Sequence, residues 1–159
     1  MAKAREIPGF ADAASFREAA ARAVEVRADE VFEHSENVLD VEDIERVHDM
    51  RVATRRLRAV MEIFAPCFPK DHHRALLREV KSLADVLGER RDRDVAIAAM
   101  ERIADALATE DRPGLAHLVD ELRAEQQGAN ATLAEALEEV ERSDLRNRLR
   151  ALVAEASAV

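Results

Sequence analysis

Basic side chains recur in this sequence at one-turn intervals, and they are the groups whose type and spacing could do chemistry. His48, Arg51, Arg55 and Arg58 follow an i, i+3, i+7, i+10 pattern. On a helix of 3.6 residues per turn this keeps them within about 80° of one another. Arg74, Arg78 and Lys81 repeat the arrangement farther along. Arginine suits phosphate because its planar fork donates two hydrogen bonds at once and stays charged. A row of such groups about 5 Å apart can follow the repeated negative charges of an extended polymer. His48 adds a donor when protonated. Glu45, Asp49 and Glu62 are the acids near the first row, and Arg51, Arg55, Arg56 and Arg58 outnumber them. Self-neutralisation is therefore incomplete. Arg56 belongs to the same run but sits well off the row on a helical wheel.

These side chains have to be held by helices. Ala, Leu, Arg and Glu dominate, Gly and Pro number four each, and the aromatics are five Phe. That composition favours helix, and no strand pattern is present. A first helix is predicted over residues 10–38, after Pro8-Gly9, with Phe16, Ala20, Val24 and Val31 at helical intervals. Residues 37–43 read as a polar turn, with Asp40 or Asp43 as cap of the next helix. This second helix runs to about Phe64 and puts Met50, Ala53, Leu57, Val60, Met61 and Phe64 opposite the arginines. Pro66 and Pro69 punctuate the loop that follows. A third helix is predicted over 71–87, with Leu76, Leu77, Val80, Leu83, Ala84 and Leu87 inward and Gly88 ending it. A fourth covers 92–108. Pro113-Gly114 breaks before a last stretch over 115–156, which is one helix or two meeting near Gly128 or Ser143. The expected fold is all-α: an antiparallel bundle of four to six long helices. If the basic sides of the second and third helices face each other, they line a groove.

With 159 residues the chain suits a single domain, predicted over 10–156 behind an N-terminal tail, 1–9. The formal charge is −9, yet its distribution is uneven. Residues 1–45 carry 5 basic and 12 acidic side chains, whereas residues 46–93 carry 12 basic and 7 acidic ones. Screening limits exposed charges to a reach of about 10 Å, so a ligand senses the positive middle rather than the total. The single Cys67 excludes an internal disulfide framework and is expected to be buried or half-buried in its loop. No apolar run reaches the length of a membrane span, and the N-terminus has no signal-peptide stretch. The cytoplasm is the expected compartment.

Other groupings carry less. Glu45 and His48 form a Glu-x-x-His, but di-iron bundles need a second such pair and two more glutamates, and Arg51 and Arg55 repel a cation. No metal site and no cofactor are expected. His72 and His73, at a helix start, point about 100° apart and read as solvated. His34 reads as surface. Asp92 and Asp94 suit the start of the fourth helix as capping residues and can hold Arg90, Arg91 or Arg93. There is no glycine-rich phosphate loop, and phosphoryl transfer needs acidic metal ligands beside the basic groups. Catalysis is not expected. The lack of Tyr and Trp and the acidic flanks weigh against nucleic acid.

Two runs resemble a known family. Val47-His48-Asp49-Met50-Arg51-Val52-Ala53-Thr54-Arg55-Arg56-Leu57-Arg58, followed by Phe64, is similar to the signature helix of the CHAD family, the conserved-histidine α-helical domain. Leu83-Ala84-Asp85-Val86-Leu87-Gly88-Glu89-Arg90-Arg91-Asp92-Arg93-Asp94-Val95 resembles its second block, a leucine-glycine followed by Arg-Asp-x-Asp-Val. The order and spacing match, and the resemblance covers about residues 10–155. It implies a helical bundle whose basic face binds inorganic polyphosphate without catalysis, in a family linked to polyphosphate granules. By motif position the implied contacts are His48, Arg51, Arg55, Arg56, Arg58 and Arg91, with Arg74, Arg78 and Lys81 added on spacing.

Full-length members look like two related bundles, each with a basic helix. Nothing after residue 95 resembles the second one, and His117 has no basic partners at helical spacing. The chain therefore resembles the first half. Either a second copy supplies the other half or the half-site works alone with a weaker grip. A homodimer that completes a two-bundle site is expected, since a half-bundle otherwise exposes its inter-bundle face. The alternative function is a protein–protein scaffold whose arginine face docks an acidic partner.

Overall fold

The computed structural model describes residues 3–157. Among them are five α-helices: α1 Phe16–Glu33, α2 Ile44–Ile63, α3 Lys70–Ala106, α4 Arg112–Arg142 and α5 Leu145–Ser157. One 3-10 turn, Ala65–Cys67, follows α2. No strand occurs among the described residues, so the fold is an all-α bundle. None of these helices is long and apolar enough to cross a membrane.

α1 starts later than the periodicity suggests. Ser15 caps it, its Oγ accepting from Glu18 N at 3.1 Å, while the Glu18 carboxylate accepts from Ala14 N at 2.7 Å. This reciprocal capping fixes the start at Phe16 rather than Phe10. The helix stops at Glu33, and Asn37 takes a left-handed φ of 54° in the turn beyond. Residues 5–9 are laid along α1: Arg27 donates to Arg5 O at 2.9 Å and Arg22 to Gly9 O. α2 begins after Asp43, whose side chain makes no capping hydrogen bond and pairs instead with Arg46 at 3.0 Å.

The largest departure from expectation is α3. Gly88 does not end it, and α3 runs unbroken from Lys70 to Ala106, across the predicted third helix and most of the predicted fourth, 92–108. A helical glycine costs about 1 kcal/mol relative to alanine, which is not a stop signal without a proline or a left-handed cap after it. The residues that follow, Glu89 to Asp94, are all charged and compatible with helix. α4 likewise passes through Gly128. The break falls at Ser143-Asp144, where Asp144 has φ 54°.

α1 packs between α2 and α5, and α3 packs between α2 and α4. The main core joins Ala20, Val24 and Val31 of α1 to Met50, Leu57 and Met61 of α2, Leu76, Leu83 and Leu87 of α3, Leu133 of α4, and Leu145, Leu149 and Leu152 of α5. The buried face of α1 is made largely of small residues, Ala20, Ala21, Ala23 and Ala28. The core ends at a polar layer. Arg90 and Asp94, at 0% and 1% exposure, pair with each other; Gln126 Nε2 donates to Asp94 Oδ1 at 2.7 Å and Arg90 Nε donates to Asn130 Oδ1 at 3.3 Å. Past this layer α3 and α4 continue together, burying Ile97 and Val119 and exposing Val95, Ile103 and Leu118.

Candidate functional site

α2 and α3 run antiparallel, and an open groove of about 540 Å³ lies between them. Arg51, Arg55 and Arg58 form its α2 wall. Its floor on the α3 side is small, Ala84 and Gly88, and its α3 wall is acidic: Asp85, Glu89 and Asp92. The two basic faces therefore do not oppose each other along the groove's length. On α3 the basic residues Arg74, Arg78 and Lys81 lie toward the helix start, and the same outer face turns acidic after Lys81. The signal was present, since Asp85, Glu89 and Asp92 follow an i, i+4, i+7 spacing beside Lys81.

Each expected contact has a definite place. Among the described residues no carboxylate pairs with Arg51, Arg55, Arg74 or Arg78 and no acceptor takes a hydrogen bond from them. Arg55, Arg74 and Arg78 are exposed. Arg58 and Lys81 converge on one carboxylate, that of Glu62: Arg58 Nε lies 3.2 Å and Lys81 Nζ 2.9 Å from its Oε1. Lys81, then Arg58, hold the Glu62 carboxyl below the usual carboxylate range. Arg56 lies off the row, half-buried and engaged in an interaction of its own.

His48 and Arg91 serve the groove's far end differently. His48 is half-buried one turn before Arg51, with ligating atoms of Glu45 and Asp49 within 4.8 Å. Arg91 Nη2 lies 3.5 Å from Glu45, so a cation already neighbours that trio. Arg91 Nη1 donates to Ile44 O at 3.1 Å, and its side chain is only 17% exposed. It fastens α3 to the first turn of α2, which sets the angle at which the arginine row meets α3.

Three side-group expectations change. His73 is buried rather than solvated: its Nε2 lies 2.8 Å from Met61 O and its ring stacks on Phe68 with centroids 5.8 Å apart. Its position on the inward side of α3, level with Leu76 and Val80, makes this necessary. His72, its neighbour, faces outward and pairs with Glu155 at 3.1 Å. Asp92 and Asp94 are mid-helix and cap nothing. Asp94 holds Arg90, as one of the expected partners, while Asp92 is exposed in the groove wall. Burial pushes the Arg90 guanidinium below its ordinary pKa, with Arg91 adding to the effect. Cys67 is buried, and burial pushes its thiol up.

Compared with known protein families, residues 22–159 match the CHAD domain, most of the chain's length. The chain belongs to the CHAD domain family. Among curated proteins it is similar to the uncharacterized protein Rv2226 of Mycobacterium tuberculosis, 39% identical over 64 residues. That stretch is 40% of this chain and 12% of the relative. No solved structure matches the chain.

In this CHAD chain the two recognised sequence blocks divide the labour. The first, residues 47–58, supplies the arginine wall and, through Val47, Met50, Ala53 and Leu57, part of the core. The second, residues 83–95, supplies the groove floor at Gly88, the brace at Arg91 and the buried carboxylate at Asp94.

Proposed function

We propose that this chain binds inorganic polyphosphate without catalysis, along the arginine wall of the α2–α3 groove. One observation carries the reading: Arg51 and Arg55 stand in an open groove with no carboxylate paired to either among the described residues. Charged donors without an acceptor favour an anion from outside, and guanidinium forks at one-turn spacing suit successive phosphoryl groups. Family membership adds support, since CHAD domains bind polyphosphate in general and are generally non-catalytic. Arg58, Lys81, Arg78 and Arg74 extend the contact surface toward the start of α3. His48 and Arg91 lie at its other end, where Arg91 acts mainly by holding α2. Arg56 contributes from the edge. Titration calorimetry with long-chain polyphosphate at two salt concentrations, with duplex DNA as control, tests this. Binding that is salt-sensitive and selective for polyphosphate is expected; equal binding of both polymers, or of neither, sinks the reading.

The acidic α3 wall favours a second reading, a scaffold in which the groove docks a protein. Asp85, Glu89 and Asp92 opposite Arg51, Arg55 and Arg58 suit a partner helix that brings both signs of charge. Indifference to polymer length in the same titration would point that way.

The proposal extends to a cytoplasmic location with polyphosphate granules, and to a homodimer. Exposed Val95, Ile103 and Leu118 on the projecting part of α3 and α4 support self-association.

A further inference from the structure

Glu62 stands inside the line of cations, one turn beyond Arg58 on α2. Its Oε1 takes Arg58 Nε from its own helix at 3.2 Å and Lys81 Nζ from α3 at 2.9 Å. Its side chain is 42% exposed, so the group sits at the surface rather than in the core. A carboxylate gripped by a guanidinium on one side and an ammonium on the other occupies the arrangement in which both cations would hold a phosphoryl group. The row is thus unequal along its length. At Arg51 and Arg55 no carboxylate is paired among the described residues, although Asp85, Glu89 and Asp92 line the opposite wall; at Arg58 and Lys81 a paired one is built in.

We propose that Glu62 is a resident counter-ion of the groove, filling the phosphate position between Arg58 and Lys81 until a long polyanion displaces it. This rests on the polyphosphate reading and assigns a regulatory residue to the same site. A short anion satisfies Arg51 and Arg55 and leaves Glu62 in place. A longer chain gains the second pair of cations only by pushing the carboxylate out toward solvent, where its exposure lets it go. Exposed ion pairs are individually weak, so displacement sets a threshold of length and concentration rather than a barrier. The carboxyl is held below the usual range by both partners, so it remains an anion and a competitor at neutral pH. Without ligand, the same contacts keep the Arg58 and Lys81 side chains ordered across the two helices.

The test is titration of tripolyphosphate and long-chain polyphosphate into the wild-type chain, Glu62→Gln and the control Glu121→Gln. Glu121 is an exposed carboxylate paired with His117 on α4, so its removal measures the effect of one fewer negative charge far from the groove. Glu62→Gln is expected to tighten long-chain binding about fivefold over Glu121→Gln. It should also steepen the salt dependence and change tripolyphosphate binding less than about twofold. Binding by the wild type with Glu62→Gln no tighter than Glu121→Gln overturns this inference alone. Equal tightening of short and long chains overturns it too, since Glu62 would then act at every position. Absence of binding by all three proteins overturns the polyphosphate reading, and this inference with it. Binding by Glu62→Gln alone upholds both.

Discussion

Arg51 lies over Gly88, with its Nε 3.9 Å from where a β-carbon on that glycine would be. The glycine is in regular helix, so what it provides is room for the arginine rather than an unusual backbone. Alanine at 88 would meet Arg51 at ordinary van der Waals distance and remove the helix penalty of glycine. Gly88→Ala is therefore expected to stabilise the fold by about 1 kcal/mol in urea denaturation and leave the arginine wall intact. Gly88→Leu should cost polyphosphate affinity by pushing Arg51 off the groove floor. Destabilisation by alanine would show that α2 and α3 pack more tightly here than this geometry implies.

Arg55 is exposed and unpaired among the described residues, so changing it tests binding without touching the core. Arg55→Glu is expected to weaken polyphosphate binding by about tenfold or more, with an unchanged helical circular dichroism spectrum. Retained affinity would remove α2 from the binding surface.

Asp94 is the opposite kind of residue. Its substitution by alanine strands the buried Arg90 guanidinium, whose Nη2 already has no protein partner among the described residues. Breaking one side of a buried pair costs about 3–5 kcal/mol, and replacing both sides with apolar groups costs far less. Chemical denaturation should give that order: Asp94→Ala much worse than the Arg90→Met, Asp94→Leu double variant. The reverse order would mean that water reaches Arg90.

For Glu62 the sign of the pH effect follows from its partners. Its folded-state carboxyl titrates below its unfolded value, so the stability it contributes is present above the unfolded value and lost as pH falls through the folded one. Carbon-detected NMR titration should show a midpoint below the usual carboxylate range. Lys81→Ala should raise that midpoint more than Arg58→Ala, because the Lys81 hydrogen bond is the larger cause. No shift in either variant would dissociate Glu62 from both cations.

The expected homodimer has its own check. Light scattering at micromolar concentration should return about twice the mass of one chain, and glutamate at Ile103 should reduce it to one. A monomer for the unsubstituted chain refutes the assembly while leaving the groove proposal standing.

Sequence periodicity was enough for the helical class, for the inward side of α2 and for the arginine row, because charge and apolar character alternate cleanly there. Helix ends were harder. Gly88 looks like a stop and is a mid-helix residue that leaves room beneath Arg51, and nothing in one sequence distinguishes the two. Ser15 was missed as a cap because the apolar pattern begins earlier, at Phe10. The acid wall was legible in the spacing of Asp85, Glu89 and Asp92, but only register between α2 and α3 reveals that it faces arginines. Likewise, His73 buries against Phe68 because of where α3 starts, a fact set by the Pro66–Pro69 loop. Asp94 reads as a helix-start residue able to hold Arg90, Arg91 or Arg93, but its burial with Arg90 depends on Gln126, far away in the chain.

That polar layer also governs alignment. Two long antiparallel helices with apolar seams can slide past one another by a turn, about 5.4 Å, with modest change in contact. Here Asp94 meets Gln126 and Arg90 meets Asn130 from opposite helices at one level. A slide of one turn would leave a carboxylate and a guanidinium facing hydrocarbon. The layer works as a ratchet tooth between α3 and α4, and because Arg91 adjoins it and grips α2, the pitch of the arginine row is indexed to the same notch.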